Sequence, residues 1–299
     1  MSTVINCTNL TKAYKNKEAL SELSLSIGEN KMIGLIGRNG AGKTTFLKTC
    51  AGYILPTSGN ITVLGGEPFD NLSVLSNMIF IDEEVSYNTS LKLGELLKIG
   101  QIYYKNWDNG FARKLIKYFD LNEKQKYKKL SRGMKTQFNM IMGLASRSPL
   151  TIMDEPTLGL DVAVRKEFYN IMLKDYIENP RSFILSSHLM SELENMLEEM
   201  ILIHKGKLVF QKSIEELQGY AILLNGKDEI LKPFLAKKQV LNTESFGNSI
   251  IAGIVNDLKS EELTYLENNN VDISNAKIED VYIWLTKNEK GGGFDEFEG

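Results

Sequence analysis

Short apolar runs alternate with stretches of helical periodicity from the amino terminus to about residue 212, the pattern of an α/β domain around a mainly parallel sheet. Strands are expected at Val4 to Thr8, Leu23 to Ile27 and Lys31 to Ile36, then around residues 77 to 82. More follow at Leu150 to Met153, Ser182 to Ser186, Met200 to His204 and Lys207 to Gln211. The run KMIGLI is almost wholly apolar, which suits a central strand buried on both faces. Residues 93 to 119 carry helical spacing in two segments broken near Asn106 to Gly110, and predict a helical insert. Beyond Leu217 the texture changes. AILLN, QVLNTE and NSIIAGIV read as strands, and the stretches from Glu229, Ser260 and Ile278 as helices, together a small α+β domain. The closing GGGFDEFEG is glycine-rich and acidic, and reads as a flexible tail.

With 299 residues, 42% hydrophobic and 24% charged, the chain has enough apolar side chains for one large or two modest globular domains. Its formal net charge of -3 and scattered lysines and arginines leave no basic footprint, so no nucleic-acid partner is expected. Cys7 and Cys50 are far apart and lack a metal-ligand spacing, which argues against a disulfide framework or a zinc site. No apolar run approaches the roughly 18 residues needed to span a bilayer, and MSTVINCTNL has no basic segment followed by an apolar one. Any membrane role is expected to come through a partner.

The first chemistry lies directly after the apolar strand. Residues 37 to 45, GRNGAGKTT, match G-x-x-x-x-G-K-[ST] between a strand and the helical run TTFLKTCAG, the context that a phosphate-binding loop requires. Gly37, Gly40 and Gly42, with Asn39 between them, let consecutive backbone N–H groups turn toward phosphates, and the following helix adds its positive end. Lys43 supplies charge to the β and γ phosphates, Thr44 offers a hydroxyl to Mg²⁺, and Thr45 adds a phosphate contact. A glycine turn capping a helix would share part of this pattern. By itself the loop indicates a nucleotide and not its use.

Two further motifs follow in order, LSRGM at Leu130 to Met134 and the run TIMDEPTLGLD at residues 151 to 161. LTIMDE reads as a buried strand delivering two carboxylates at its end. Asp154 suits a hard cation that prefers oxygen ligands, and Glu155 is placed to polarise an attacking water as general base. Ser131 and Gly133 precede the helical stretch KTQFNMIMGLAS, where a hydroxyl and unpaired N–H groups can meet an anion.

With the loop, these motifs resemble the ATP-binding cassette of ABC transporters over about residues 3 to 215. The resemblance implies a P-loop NTPase fold: a RecA-like core, an antiparallel β subdomain and a helical subdomain at about 84 to 148. An accessory or regulatory α+β domain would follow at 216 to 288, and a tail at 289 to 299. It implies an ATPase using ATP and Mg²⁺, coupled to transport and bound peripherally at the cytoplasmic face of the membrane through a permease subunit. Ser131 and Gly133 would then grip the γ-phosphate held by an opposite subunit, in a homodimer or a heterodimer. Asp161 would cross that interface, and His188, in SSHLMSELE, would be a switch histidine or else a plain helix-start residue. Tyr14 falls where the family stacks an aromatic on adenine, although a strand-edge tyrosine would read alike. His204, in the turn HKGK, reads as structural.

Three positions depart from the family pattern. Arg132 and Met134 replace the usual glycine and glutamine of LSGGQ, and the arginine either adds charge near the phosphate or faces solvent. The glutamine expected after residues 77 to 82 is missing; Glu83, in FIDEEVSYN, fills its place, where it can still contact Mg²⁺ or water but would add a negative charge beside Asp154 and Glu155. Tyr87, Tyr103, Tyr104 and Trp107 either line a groove for the membrane partner or pack the insert, the second reading covering at least two of them. NAKIEDVYIWLTK and NWDNGF are similar to segments of drug, bacteriocin and peptide exporter subunits, including those for lantibiotic-type peptides and phenol-soluble modulins. Export of an amphipathic compound is the expected direction, with import or a soluble, non-transport ATPase as alternatives.

Overall fold

The computed structural model describes residues 2–15, 17–82, 87, 90–187 and 193–287. Two compact units divide the chain, the first ending at Gln211 and the second beginning at Lys212.

The first unit opens with β1 (Thr3–Tyr14), β2 (Lys17–Gly28), β3 (Met32–Ile36), α1 (Lys43–Cys50) and β4 (Ser58–Val63). The chain continues through α2 (Leu72–Leu75), β5 (Met78–Ile81), α3 (Leu93–Tyr103), α4 (Asn109–Tyr118) and α5 (Arg132–Ala145). Then come β6 (Leu150–Asp154), α6 (Val162–Glu178), β7 (Ser182–Ser186), β8 (Glu199–His204) and β9 (Lys207–Ser213). Six strands form one sheet in the order β5-β6-β7-β3-β8-β9, and the four pairings from β5 to β8 are parallel. Every residue of β3, β5, β6 and β7 is buried, as suits strands covered on both faces, and β6 and β7 bury polar residues at or near their ends as well as apolar ones. Lys205 and Gly206 join β8 to β9 with φ of 49° and 78°, the backbone of a tight hairpin turn.

A second sheet, β2-β1-β4, is antiparallel. Here the strands outrun the expectation, because β1 reaches Tyr14 and β2 starts at Lys17. The register of the pair shifts between Cys7 and Leu10 and again before Lys12, and Asn9 and Glu22 take φ of 48° and 50°. Such bulges keep the ribbon paired while breaking the two-residue alternation that sequence reading depends on. The strand β4 was not expected at all: only Ile61 and Val63 of SGNITV turn inward. One apolar cluster joins the two sheets, with Phe46 and Leu47 of α1 packed among Leu10 and Leu20 from the ribbon and Leu35 and Ile152 from the parallel strands. Burying side chains of this size contributes about 1.5–3 kcal/mol each.

Helices α3 to α5 make the helical part. The break between α3 and α4 falls where expected, and Asp108 ends it by accepting the Phe111 N–H at 2.8 Å as N-cap of α4. No helix among the described residues is long and apolar enough to cross a membrane.

The second unit holds α7 (Ile214–Gln218), β10 (Ala221–Lys227), α8 (Asp228–Leu235), β11 (Val240–Phe246), β12 (Ser249–Val255), α9 (Ser260–Asn268), β13 (Asp272–Asn275) and α10 (Ile278–Thr286). From β10 to β13 this is a βαββαβ order with sheet order β11-β12-β10-β13, the ferredoxin-like arrangement. One sheet face, with Ile222, Leu224 and Ile254, packs under Leu231 and Leu235 of α8 and Leu266 of α9. The opposite face carries α10 through Val281 and Trp284. Gly253 makes room there: a Cβ on it would lie 2.5 Å from the indole of Trp284.

Candidate active site

The strand β3 ends at Ile36 and the chain turns through residues 37 to 42 before α1 begins at Lys43. Gly42, the N-cap of α1, has φ of 111°, and a Cβ there would stand 2.4 Å from the carbonyl oxygen of Ala19. Only glycine fits that backbone. No side chain caps α1 and no acidic residue lies in its first turn, so its amino-terminal N–H groups and positive dipole end suit an anion. Lys43 is 7% exposed; its ammonium curls back to donate to the Gly37 carbonyl at 2.7 Å and lies 3.9 Å from Glu155 Oε1. Burial pulls the Lys43 pKa down, against the opposing pull of Glu155 and Asp154.

The two carboxylates come from the next strand but one in the sheet. Asp154 is the last residue of β6 and is buried, while Glu155 turns out of the strand with φ of 49°, uncommon for a residue with a Cβ. Ser186, the last residue of β7, is the register partner of Asp154. Its hydroxyl donates to Asp154 Oδ1 and accepts the Glu155 N–H at 2.9 Å. Together the loop, Asp154 and Glu155 line a cleft of about 450 Å³, with Tyr14 and Lys17 on its wall. That volume lies within the range of small-molecule sites.

Mg²⁺ keeps near-octahedral oxygen coordination and is usually held by one or two carboxylates plus substrate phosphates. The cleft offers the Thr44 hydroxyl and the Asp154 carboxylate, and the described residues contain no cluster of three or more acidic, histidine or cysteine side chains able to hold a metal. This donor set fits Mg²⁺ delivered with a nucleotide, not a resident protein-caged ion.

Gly40, Asn39, Lys43, Thr44, Thr45 and Tyr14 all border the cleft. Tyr14 is half exposed, with the Lys12 ammonium 5.1 Å from its ring centre. Ser131 and Gly133 do not line it. Ser131 is the N-cap of α5, accepting the Met134 N–H at 3.2 Å, and the start of α5 meets residues 158 to 160 of its own chain. There Thr136 donates to the Leu158 carbonyl at 3.3 Å, and the exposed Arg132 lies across Gly159. Asp161 is the N-cap of α6, accepting the Val164 N–H at 3.0 Å. Glu83 and His188 lie outside the described residues.

Of the four aromatics, Tyr87 packs edge-on against Tyr127 and Phe138, and Trp107 stacks with Tyr104 above Gly100. Tyr103 alone of the four is strongly exposed, at 73%. Three residues at the site went unnoticed in the sequence: Arg38, Lys17 and Ser186. Arg38 occupies a variable place inside the loop motif and Lys17 follows Tyr14 closely, so proximity to recognised residues was their only signal. Ser186 opens the SSHLMSELE run that singled out His188, but what its hydroxyl meets depends on the register of β7 against β6.

Compared with known proteins, the chain matches the ABC transporter family over residues 20–158. It is 32% identical over 225 residues to the bacitracin transport ATP-binding protein BcrA of Bacillus licheniformis, covering 73% of this chain and 72% of that one. It is 29% identical over 215 residues to the ABC transporter ATP-binding protein YtrB of Bacillus subtilis (strain 168), covering 72% of this chain and 74% of that one. Among solved structures, a dimeric ATP-binding cassette in a post-hydrolysis state with ADP and phosphate matches with a TM-score of 0.63 at 20% identity. That match covers 70% of this chain and 98% of the other, and is a likeness of fold.

Proposed function

Since the chain belongs to the ABC transporter ATP-binding proteins, we propose that two such cassettes close on ATP and that its hydrolysis drives a membrane-embedded permease. The observation that carries the dimer is the position of Ser131 and Gly133. Both stand outside the cleft of their own chain, at a helix start suited to an anion, so a second subunit is needed to bring them onto a phosphate. The dimeric state of the solved neighbour agrees with this reading.

In the proposed site the triphosphate lies along residues 37 to 45. Lys43 exchanges the Gly37 carbonyl for phosphate oxygens, and Tyr14 stacks on the base. Thr44 and Asp154 hold Mg²⁺, which when bound neutralises phosphate charge. Glu155 accepts a proton from the attacking water, a task that needs its carboxylate ionised and facing the γ-phosphate. Asp161, beyond its capping bond, borders the partner cassette. The chain would sit at the cytoplasmic membrane face through the permease. BcrA is named for bacitracin transport, and we extend to this chain the export of peptides, drugs or similar amphipathic compounds.

Size measurement of the Glu155→Gln variant with MgATP tests the dimer. Trapped ATP is expected to give a particle of twice 33.7 kDa. A particle that stays monomeric at saturating ATP would contradict the composite site.

A further inference from the structure

We propose that Ser186 is a positioning residue for ATP hydrolysis, holding Asp154 and Glu155 in the relation that turnover requires; this rests on the reading of Glu155 as general base. Parallel pairing sets Asp154 beside Ser186, and paired residues in neighbouring strands point to the same sheet face. Ser186 is fully buried, so its hydroxyl has no water to bond. It spends its one donor and an acceptor on the two carboxylate residues: the O–H goes to Asp154 Oδ1, and the oxygen takes the Glu155 N–H at 2.9 Å.

The second bond bears on the chemistry. The backbone of Glu155 sits in the left-handed region, at φ of 49°, a conformation that persists in residues with a Cβ only where the surroundings impose it. The Ser186 hydroxyl is one such constraint, applied to the same peptide unit. That backbone turn is what carries the Glu155 carboxylate to 3.9 Å from the Lys43 ammonium instead of along the line of β6. The first bond commits one oxygen of Asp154, which fixes the carboxylate plane at the place proposed for Mg²⁺. Without the hydroxyl, the Glu155 N–H and Asp154 Oδ1 lose a common anchor and the turn can relax. Misplacement of a reacting group by about 1 Å costs on the order of a hundredfold in rate. A serine present only because a small residue fits the end of β7 would have no such effect.

Steady-state turnover and Mg²⁺-free ATP affinity of Ser186→Ala and Ser186→Cys separate these roles, since cysteine keeps the side chain nearly filled while bonding weakly. The expected result for both is a fall in kcat of about ten- to a hundredfold, with ATP Kd within about twofold of wild type and an unfolding midpoint lowered by about 2–12 °C, because two partners of a buried hydroxyl lose their bond. The Mg²⁺ concentration for half-maximal turnover should rise. If Ser186→Ala fails to fold, Ser186→Cys decides alone. A kcat within twofold of wild type, or a kcat loss matched by an equal loss of ATP affinity, overturns the proposal. Glu155→Gln assayed in parallel keeps the two readings apart: an active Glu155→Gln sinks the general base, whereas an inactive one beside a fully active Ser186→Cys sinks only the positioning role.

Discussion

Replacing Gly42 by alanine should disable nucleotide binding by a route that can be followed in ångströms. The new Cβ would sit 2.4 Å from the Ala19 carbonyl oxygen and 3.1 Å from the Leu20 side chain, at a φ of 111° that L residues rarely adopt. Ordinary contact begins near 3.5 Å, so one partner must retreat by roughly 1 Å. Leu20 is fully buried in the apolar cluster and Ala19 is held in β2, which leaves the loop and the first turn of α1 to move. A displacement of that size carries an N–H of the loop out of hydrogen-bond range of a phosphate. Each bond to a charged group contributes about 1.5–3 kcal/mol, so losing one weakens ATP binding by about 10- to 150-fold. Overpacking adds about 1–3 kcal/mol of destabilisation, or about 2–12 °C in the unfolding midpoint of a domain this size. Equilibrium binding of a fluorescent ATP analogue, with thermal unfolding on the same preparations, measures both. An affinity within twofold of wild type at an unchanged midpoint would refute the steric argument.

Asp175 on α6 is 4% exposed and accepts from both Arg147 and the buried Arg181, whose pKa burial lowers and Asp175 holds up. Asp175→Ala leaves the Arg181 guanidinium buried without its carboxylate, while Arg147 keeps Asp108 at 3.1 Å, and should cost about 3–5 kcal/mol in urea unfolding; a cost under about 1 kcal/mol would contradict the network. Cys7 and Cys50 are buried free thiols, and burial pushes Cys7 from 9.0 up to about 11 and Cys50 well above its ordinary value. Neither should react with iodoacetamide at about pH 8 until the chain is unfolded, because only the thiolate attacks. The raised value has a second consequence: the unfolded thiol ionises first, so stability contributed by the neutral thiol is complete below pH 9.0 and lost as pH rises toward about 11. A flat stability profile across that window in wild type would contradict this, with Cys7→Ala as the reference.

What the sequence disclosed follows from how local each signal is. Gly37 to Thr45 lie in one uninterrupted segment, and Asp154 and Glu155 are adjacent, so their types and order could be read without any fold. The buried strands β3, β6 and β7 announced themselves because both faces are covered. In contrast, β4 and β13 hide in SGNITV and DISN, where few side chains turn inward. The length of β1 and β2 was concealed by bulges, which reset the alternation at Asn9 and Glu22. Ser186 illustrates the deeper limit. It opens the run SSHLMSELE, in which attention falls on His188, and its two bonds exist only because β7 pairs with β6 in one particular register. The aromatic cluster of the helical part shows the same dependence, since Trp107 and Tyr104 are explained by Gly100 one turn before the end of α3.

The most direct test of ATP hydrolysis at this cleft is Mg²⁺-dependent phosphate release by the purified chain beside its Glu155→Gln variant. Wild type should turn over ATP, and the variant should lose about a hundredfold or more while still binding ATP, because a positioned general base contributes about 10²- to 10⁴-fold. Turnover by Glu155→Gln near the wild-type rate would contradict the assignment.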